Sequence, residues 1–584
     1  MLIQRYGEFI TKPTAKTFSS RGIFWFSLSM TFAATYGLIA LQKAFRAEYV
    51  IEDDVRVFVF WLQQFSDPAL LPNDFIVDYY KSVTPPGYAA FYQVMAAIGI
   101  SPILVSKILP LFLMLIATSY GFAFCMEILP VPAAGFIATL LLNQNVWMKT
   151  VITSTPRGFV YALLPAFGYY LLRRSLIPCL VVIILEGLIY PPFVFIIAGV
   201  LILRLLRWEN GRPSLSEERN DYIFCAAGLG VAALAMLPYA LSSSQFGPTI
   251  TAAQARAIPE FGIDGRSPFF SDDPVEFFLY GWQSGLLSAG PFEPRWVVWT
   301  GFLLPILLLF PSRFPLVSQV KSGVTVLLQM AIASLGMFFT AHAVLLKLYF
   351  PNRYTYHSLR ILMALAAGIA LILILDAVLD WARGQTNSGL YWKRFLALGA
   401  TILFGAALVF YPVYLNLRNY NFPRHPYGVV GSVPQLYEFF SKQPKDILIA
   451  SLSNEVDNLP TFAKRSILAG WEYANPYHLG YYNQIRQRQT DLIRAQYSGD
   501  LAEVKTFIQK YGVDFLLLDR SAFTSEYLTK NPWFKQWRPI AKEVQANLKQ
   551  RVPALSRVVQ RCSVWQNENL VFLSAECIIK APSK

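Results

Sequence analysis

Runs of about twenty apolar residues recur along this chain, 23–41 and 361–379 among them. As helices they are long enough to cross the roughly 30 Å hydrocarbon core of a bilayer. No water is available there to bond the backbone, so a spanning run of this kind folds as a helix. Only 15% of the 584 residues are charged and 55% are hydrophobic, against roughly 25% charged in an ordinary soluble chain. The sequence predicts a polytopic α-helical membrane protein. Its 50 Lys and Arg against 36 Asp and Glu leave a net charge of +14, but these cations are scattered among loops and the tail. There they set topology, and nucleic acid is not an expected partner.

The leader 1–22 carries Arg5, Lys12, Lys16 and Arg21 against Glu8 alone, which keeps it cytoplasmic. Further spans are expected near 101–126, 131–148, 156–172, 176–189, 191–206, 221–241, 295–311, 323–346, 358–380 and 394–415, about eleven in all with the first. This count places Arg173-Arg174, Arg204/Arg207/Arg212, Arg313/Lys321 and Arg383/Lys393/Arg394 inside, as the positive-inside rule asks. Segment 87–100 is apolar but short, and counting it as a span would turn Arg173-Arg174 outward. It reads as an interfacial helix. The first span lacks a small-x-small cleavage site and reads as an uncleaved anchor. The transmembrane domain is then 23–415, with external loops 42–100 and 242–294.

From 416 to 584 the composition becomes that of a soluble domain, and the odd span count puts it outside. Segments 446–451 and 513–518 read as buried strands, 501–511 and 525–537 as helices. Cys125, Cys179 and Cys225 fall in apolar segments as small hydrophobes. Cys562 and Cys577 flank a strand pair turning at Asn567-Glu568-Asn569, a candidate disulfide in an oxidising compartment.

Directly after the first span comes Glu52-Asp53-Asp54-Val55-Arg56. Charge beside a bilayer is expensive and marks a functional candidate. Over 53–65 the residues Asp53, Arg56, Gln63, Gln64 and Asp67 share one face of a helix. Val57, Phe58, Val59, Trp61, Leu62 and Phe65 suit the headgroup boundary, so this is a second interfacial helix. Lys81-Ser82-Val83-Thr84-Pro85-Pro86 follows in the same loop. Three more outward cations stand at Arg157, Arg266 and Arg353. Glu260 with Asp264 is a candidate pair for an acceptor or a metal ion. His342, His357, His425 and His478 have no metal-ligand spacing.

This arrangement resembles the GT-C superfamily of integral-membrane glycosyltransferases. The local likeness is to aminoarabinose transferases and protein O-mannosyltransferases, whose Asp-Glu-x-Arg is matched by Asp53-Asp54-Val55-Arg56. The later Lys-Pro-Pro of the aminoarabinose transferases is matched less well by Lys81 with Pro85-Pro86, since Ser82-Val83-Thr84 intervenes, and Asp54 stands where the motif has Glu. The oligosaccharyltransferase Trp-Trp-Asp-Tyr-Gly signature is absent, with a faint echo in Gly470-Trp471-Glu472-Tyr473. The resemblance implies an inverting transferase of the cell inner or plasma membrane, working on its extracytoplasmic face. Its donor would be a polyprenyl-phosphate-linked sugar and its acceptor a lipid, glycan or protein.

Such a reaction needs a base for the acceptor proton and cations for the departing phosphate. The resemblance maps the base onto Asp53, with Asp54 in reserve; Asp53 read alone also suits a helix N-cap. Arg56, Lys81, Arg157, Arg266 and Arg353 are the candidate phosphate ligands, and donor binding is expected to rest on such cations rather than on the tail. No cofactor is demanded, and a divalent cation is compatible with these carboxylates. A transporter or lipid flippase is the alternative, but few charges (Lys107, Glu186) lie inside spans and no repeated halves are visible. A non-catalytic envelope scaffold is a third reading.

Overall fold

The computed structural model describes residues 2–14, 19–146, 153–209, 212–241, 244–288, 295–383, 391–417 and 429–582. Each of the eleven apolar segments is helical or mostly helical there. Among the described residues six helices are long and apolar enough to cross a membrane: Ser20–Ala44, Pro102–Ile128, Arg219–Leu241, Ser322–Ala343, Pro351–Ala382 and Phe395–Val413. This is a multi-pass membrane protein. Other apolar helices are shorter, and the sequence shows why. Leu176–Ile189 ends before Pro191-Pro192, since the residue preceding proline is driven out of the helical region. The leader, expected to be cytoplasmic, contains a helix over Leu2–Thr11. Residues 147–152, 384–390 and 418–428, which belong to predicted loops or span ends, lie outside the described residues.

The loop 42–100, expected to be external, holds three helices, Asp53–Leu62, Phe75–Val83 and Pro86–Ala97. The third is 12 residues long, about 18 Å, and exposes Val94 and Ile98. That fits an interfacial element. The first departs from expectation. Val57, Val59, Phe60, Trp61 and Leu62 are buried, with Phe60 edge-on to Tyr473 at 5.1 Å. The helix is roofed by the C-terminal part of the chain, so much of its apolar face meets protein instead of lipid headgroups.

Among the described residues there are nine strands: β1 Val50–Ile51, β2 Leu206–Glu209, β3 Arg212–Leu215, β4 Val429–Val430, β5 Leu448–Ser451, β6 Ser466–Ile467, β7 Phe515–Asp519, β8 Ser563–Gln566 and β9 Leu570–Ser574. The last five form one mixed sheet in the order β6-β5-β7-β9-β8. β5 runs parallel to β6 and β7, while β9 runs antiparallel to β7 and β8. Helices such as Leu479–Tyr497 and Leu501–Tyr511 accompany this sheet. Residues 429–582 thus contain helices together with a mixed sheet, and Cys562, which ends the helix Ala554–Cys562 before β8, is bonded to Cys577 in the helix Ala575–Lys580 after β9.

The tail is joined to the membrane part by backbone as well as side chains. β1, leading into the first-loop helix, pairs antiparallel with β4, Val50 opposite Val430. Tyr79 of the second loop helix stacks on Tyr481 at 3.6 Å. Buried apolar residues run without a break from the membrane helices into the sheet.

Candidate active site

The carboxylate cluster opens the Asp53–Leu62 helix. Its N-cap is Glu52, whose side chain accepts from the Val55 N–H at 3.2 Å. Asp53 is therefore not the cap but stands in the first helical turn with Asp54, where the helix dipole favours negative charge. The turn presents both carboxylates to a ring of cations.

Asp53 Oδ1 accepts from Arg56 Nη2 at 2.7 Å, and its side chain is 52% exposed. Arg56 is 7% exposed and its other nitrogen donates to Asn458 Oδ1 at 2.7 Å. Asp54 Oδ2 accepts from Arg157 at 2.5 Å. Burial pushes the Asp54 carboxyl up, but Arg157, with Arg353 and Arg266 beyond it, outweighs this and holds it below its ordinary value. The side chain still keeps 49% of its surface open. Glu52 goes the other way. Burial and the neighbouring Asp54 charge push its carboxyl well above the usual range.

Local structure explains how Arg157 and Arg353 arrive. Arg157 lies in a 3-10 turn, Pro156–Phe159, approached through Ser154 in the left-handed region at φ 50°. Ser154 is fixed by donating to Ser106 O at 2.5 Å and accepting from Tyr88 at 2.9 Å. Arg353 lies in the 3-10 turn Pro351–Tyr354. Its guanidinium rests 5.9 Å and 6.0 Å from the Tyr349 and Phe350 rings.

Arg266, from the loop 242–294, reaches the cluster through the tail. Its Nε donates to Trp471 O at 2.8 Å and its Nη2 to Glu472 Oε2 at 2.6 Å. Glu472 also stands 3.7 Å from Arg56. Glu472, Asp457 and Asn458 were missed as site residues. Sequence reading expected donor binding to be independent of the tail, yet the tail orients two of the five candidate cations. The available signal was the Gly470-Trp471-Glu472-Tyr473 echo. Gly470 is required there, since a Cβ would stand 2.2 Å from Asp457 Oδ1. Burial, against the pull of Arg56, pushes the Asp457 carboxyl up to about 7.

Two candidates lie elsewhere. Lys81 Nζ donates to Gln64 Oε1 at 3.3 Å and sits 5.9 Å from the Trp61 ring, at the other end of the helix from Asp53, about 12 Å along its axis. Glu260 is fully buried and accepts from Tyr482 at 2.6 Å and Trp537 at 2.8 Å. Asp264 pairs with Arg538 at 2.5 Å. These acids join the loop to the tail and do not face the Asp53 cluster. Among the described residues no group of three His, Cys, Asp or Glu has the geometry of a metal site.

The same fold occurs in the oligosaccharyltransferase of Archaeoglobus fulgidus. Its apo form matches at a TM-score of 0.52 and 14% identity, over 90% of this chain and 73% of that one. Its complex with an inhibitory peptide and a dolichol-phosphate gives 0.52 and 13%, over 90% and 72%. ArnT from Cupriavidus metallidurans, bound to undecaprenyl phosphate, gives 0.46 and 13%, over 97% and 100%. No protein-family model and no curated protein sequence matches the chain. The structural neighbours are GT-C glycosyltransferases, and the fold of this chain is theirs.

Proposed function

We propose that this protein transfers a sugar from a polyprenyl-phosphate-linked donor to a lipid, glycan or protein acceptor on the extracytoplasmic face. One observation carries the reading. Two carboxylates open a helix beside the membrane spans, with four arginines around them, in a fold shared with a transferase that has been solved with dolichol-phosphate.

Asp53 is the base. It is the more open carboxylate, and its single arginine comes from its own helix. It takes the acceptor's proton as the freed lone pair attacks the anomeric carbon, which inverts as the phosphate leaves. A positioned base of this kind contributes roughly 10²–10⁴-fold. The negative charge left on the phosphate is met by Arg157, Arg266 and Arg353, whose planar donors suit phosphate oxygens. Asp54 holds Arg157 in place and is the weaker base, because that pairing favours its charged form. A transporter would keep ionisable groups near the bilayer midplane, whereas this cluster gathers at the ends of spans, with Arg353 in the first turn of Pro351–Ala382. The test is transfer of labelled sugar from polyprenyl phosphate by the purified protein in detergent. A labelled, extracted product supports the reading; lipid movement between leaflets without transfer would replace it with a flippase.

A further inference from the structure

The second external loop bears an apolar surface that this reaction leaves unused. Glu276–Tyr280 form one π-helical turn. Around it Val275, Phe278, Tyr280 and Trp282 are 54%, 44%, 54% and 63% exposed. Contiguous exposed aromatics mark a surface that is covered by something else.

The height of this turn is fixed. The rings of Phe277 and Phe278 lie 5.3 Å and 5.0 Å from His342, in the last turn of the membrane helix Ser322–Ala343. His342 Nε2 meets Ser284 O at 2.9 Å. Along that helix Leu328, Ile332 and Phe339 are exposed, at spacings of four and seven that put them on one face, toward lipid. The aromatic turn sits where this helix leaves the hydrocarbon, the depth that Trp and Tyr rings prefer.

We infer that 275–282 inserts into the outer headgroup region of the bilayer, and that this seating positions Arg353. Asn352 makes the link. Its side-chain amide donates to Trp282 O at 2.9 Å and Ser288 Oγ at 3.1 Å, and its backbone N–H to Gln283 O at 3.3 Å. Arg353 follows directly. Leu346 and Tyr349, at φ 70° and 67°, hold the preceding turn in a conformation rare for such residues. The loop segment 267–288 contains no Lys or Arg, while Asp272, Asp273 and Glu276 are exposed. Insertion is therefore driven by apolar burial and aromatic preference, and needs no anionic lipid.

The insertion is testable without activity. Cys125, Cys179 and Cys225 are buried and the remaining pair is bonded, so a spin label on Tyr280→Cys reports one site. In phosphatidylcholine nanodiscs the label should be open to oxygen and shielded from a water-soluble nickel chelate, at a depth of about 5–10 Å. A label on Asp272→Cys should behave as in water. Equal nickel access at the two sites overturns the insertion. The link to Arg353 rests on the proposed function and is read separately, from binding of a prenyl-phosphate sugar in nanodiscs. Phe278→Glu with Tyr280→Glu should weaken it about tenfold, or about 1.4 kcal/mol, and unchanged affinity overturns the link. If the unaltered protein binds no donor, the proposed function fails while the depth measurement still judges the insertion.

Discussion

Asp53 and Asp54 are adjacent in sequence yet occupy different electrostatic settings. Asp54 shares a 2.5 Å contact with Arg157 and feels Arg353 and Arg266 beyond it. Asp53 has Arg56, itself shared with Asn458 and Glu472. Asp53→Asn should therefore fold normally and lose at least about a hundredfold in transfer, the share of a general base, with a smaller loss in Asp54→Asn. The reverse order in a labelled-sugar assay would move the base to Asp54. Asp457 carries a second prediction. Its carboxyl titrates near 7 in the fold against about 3.9 in an unfolded chain, so the folded form holds the extra proton between these values. Stability from this group is present at low pH and is lost as pH rises from about 4 to about 7. The melting temperature should fall over that window relative to Asp457→Asn. Parallel pH profiles for the two proteins would remove the buried-acid assignment.

At the scale of elements, legibility in the sequence followed locality. Leu501–Tyr511 was readable because its signals are internal: Asp500 caps its start and Gly512, in the left-handed region, ends it. Segment 525–537 was read as one helix but is two, since Asn531 stops the first and caps the second before Pro532. The Asp53–Leu62 helix was placed correctly and its surroundings were not, because an apolar face looks the same whether lipid or protein covers it. Arg56 and Asp53 are three residues apart and could be paired from spacing. Asn458 and Glu472 lie some four hundred residues further on, and no periodicity reports a partner at that range. The consequence concerns the tail. Thr461 donates to Arg56 O at 3.0 Å, Gln63 donates to Thr461 O at 3.1 Å, and Lys445 meets Asp67 at 2.5 Å. The polar face of this helix is a docking face. Removing 429–582 should therefore abolish binding of a short-chain prenyl-phosphate sugar, because Arg56 and Arg266 lose the groups that hold them. A truncated protein that remains folded in detergent and titrates with unchanged affinity would show that the arginines are set by the membrane part alone.

Across the whole molecule, the base, the arginines and the tail share one end of the membrane helices, so the side of the membrane taken by any of them decides it for all. We propose the outer side, and two independent features support it. The segment 1–22, with Arg5, Lys12, Lys16 and Arg21, is expected on the cytoplasmic side by the positive-inside rule. The Cys562–Cys577 bond belongs to an oxidising compartment, where such links persist. Both support the proposal of an extracytoplasmic tail, and with it of a donor whose lipid is anchored in the outer leaflet. The predicted outcome is that protease added to intact cells, or to spheroplasts if an outer layer blocks it, cleaves exposed tail segments such as that around Val552. A membrane-impermeant maleimide should label the Cys562–Cys577 pair only after reduction. Immediate labelling without reductant would mean that the pair is open. Protection from both reagents until the membrane is permeabilised would place the tail in the cytoplasm. The Asp53 cluster would then face the cytoplasm as well, and a donor carried on the outer leaflet would be out of its reach.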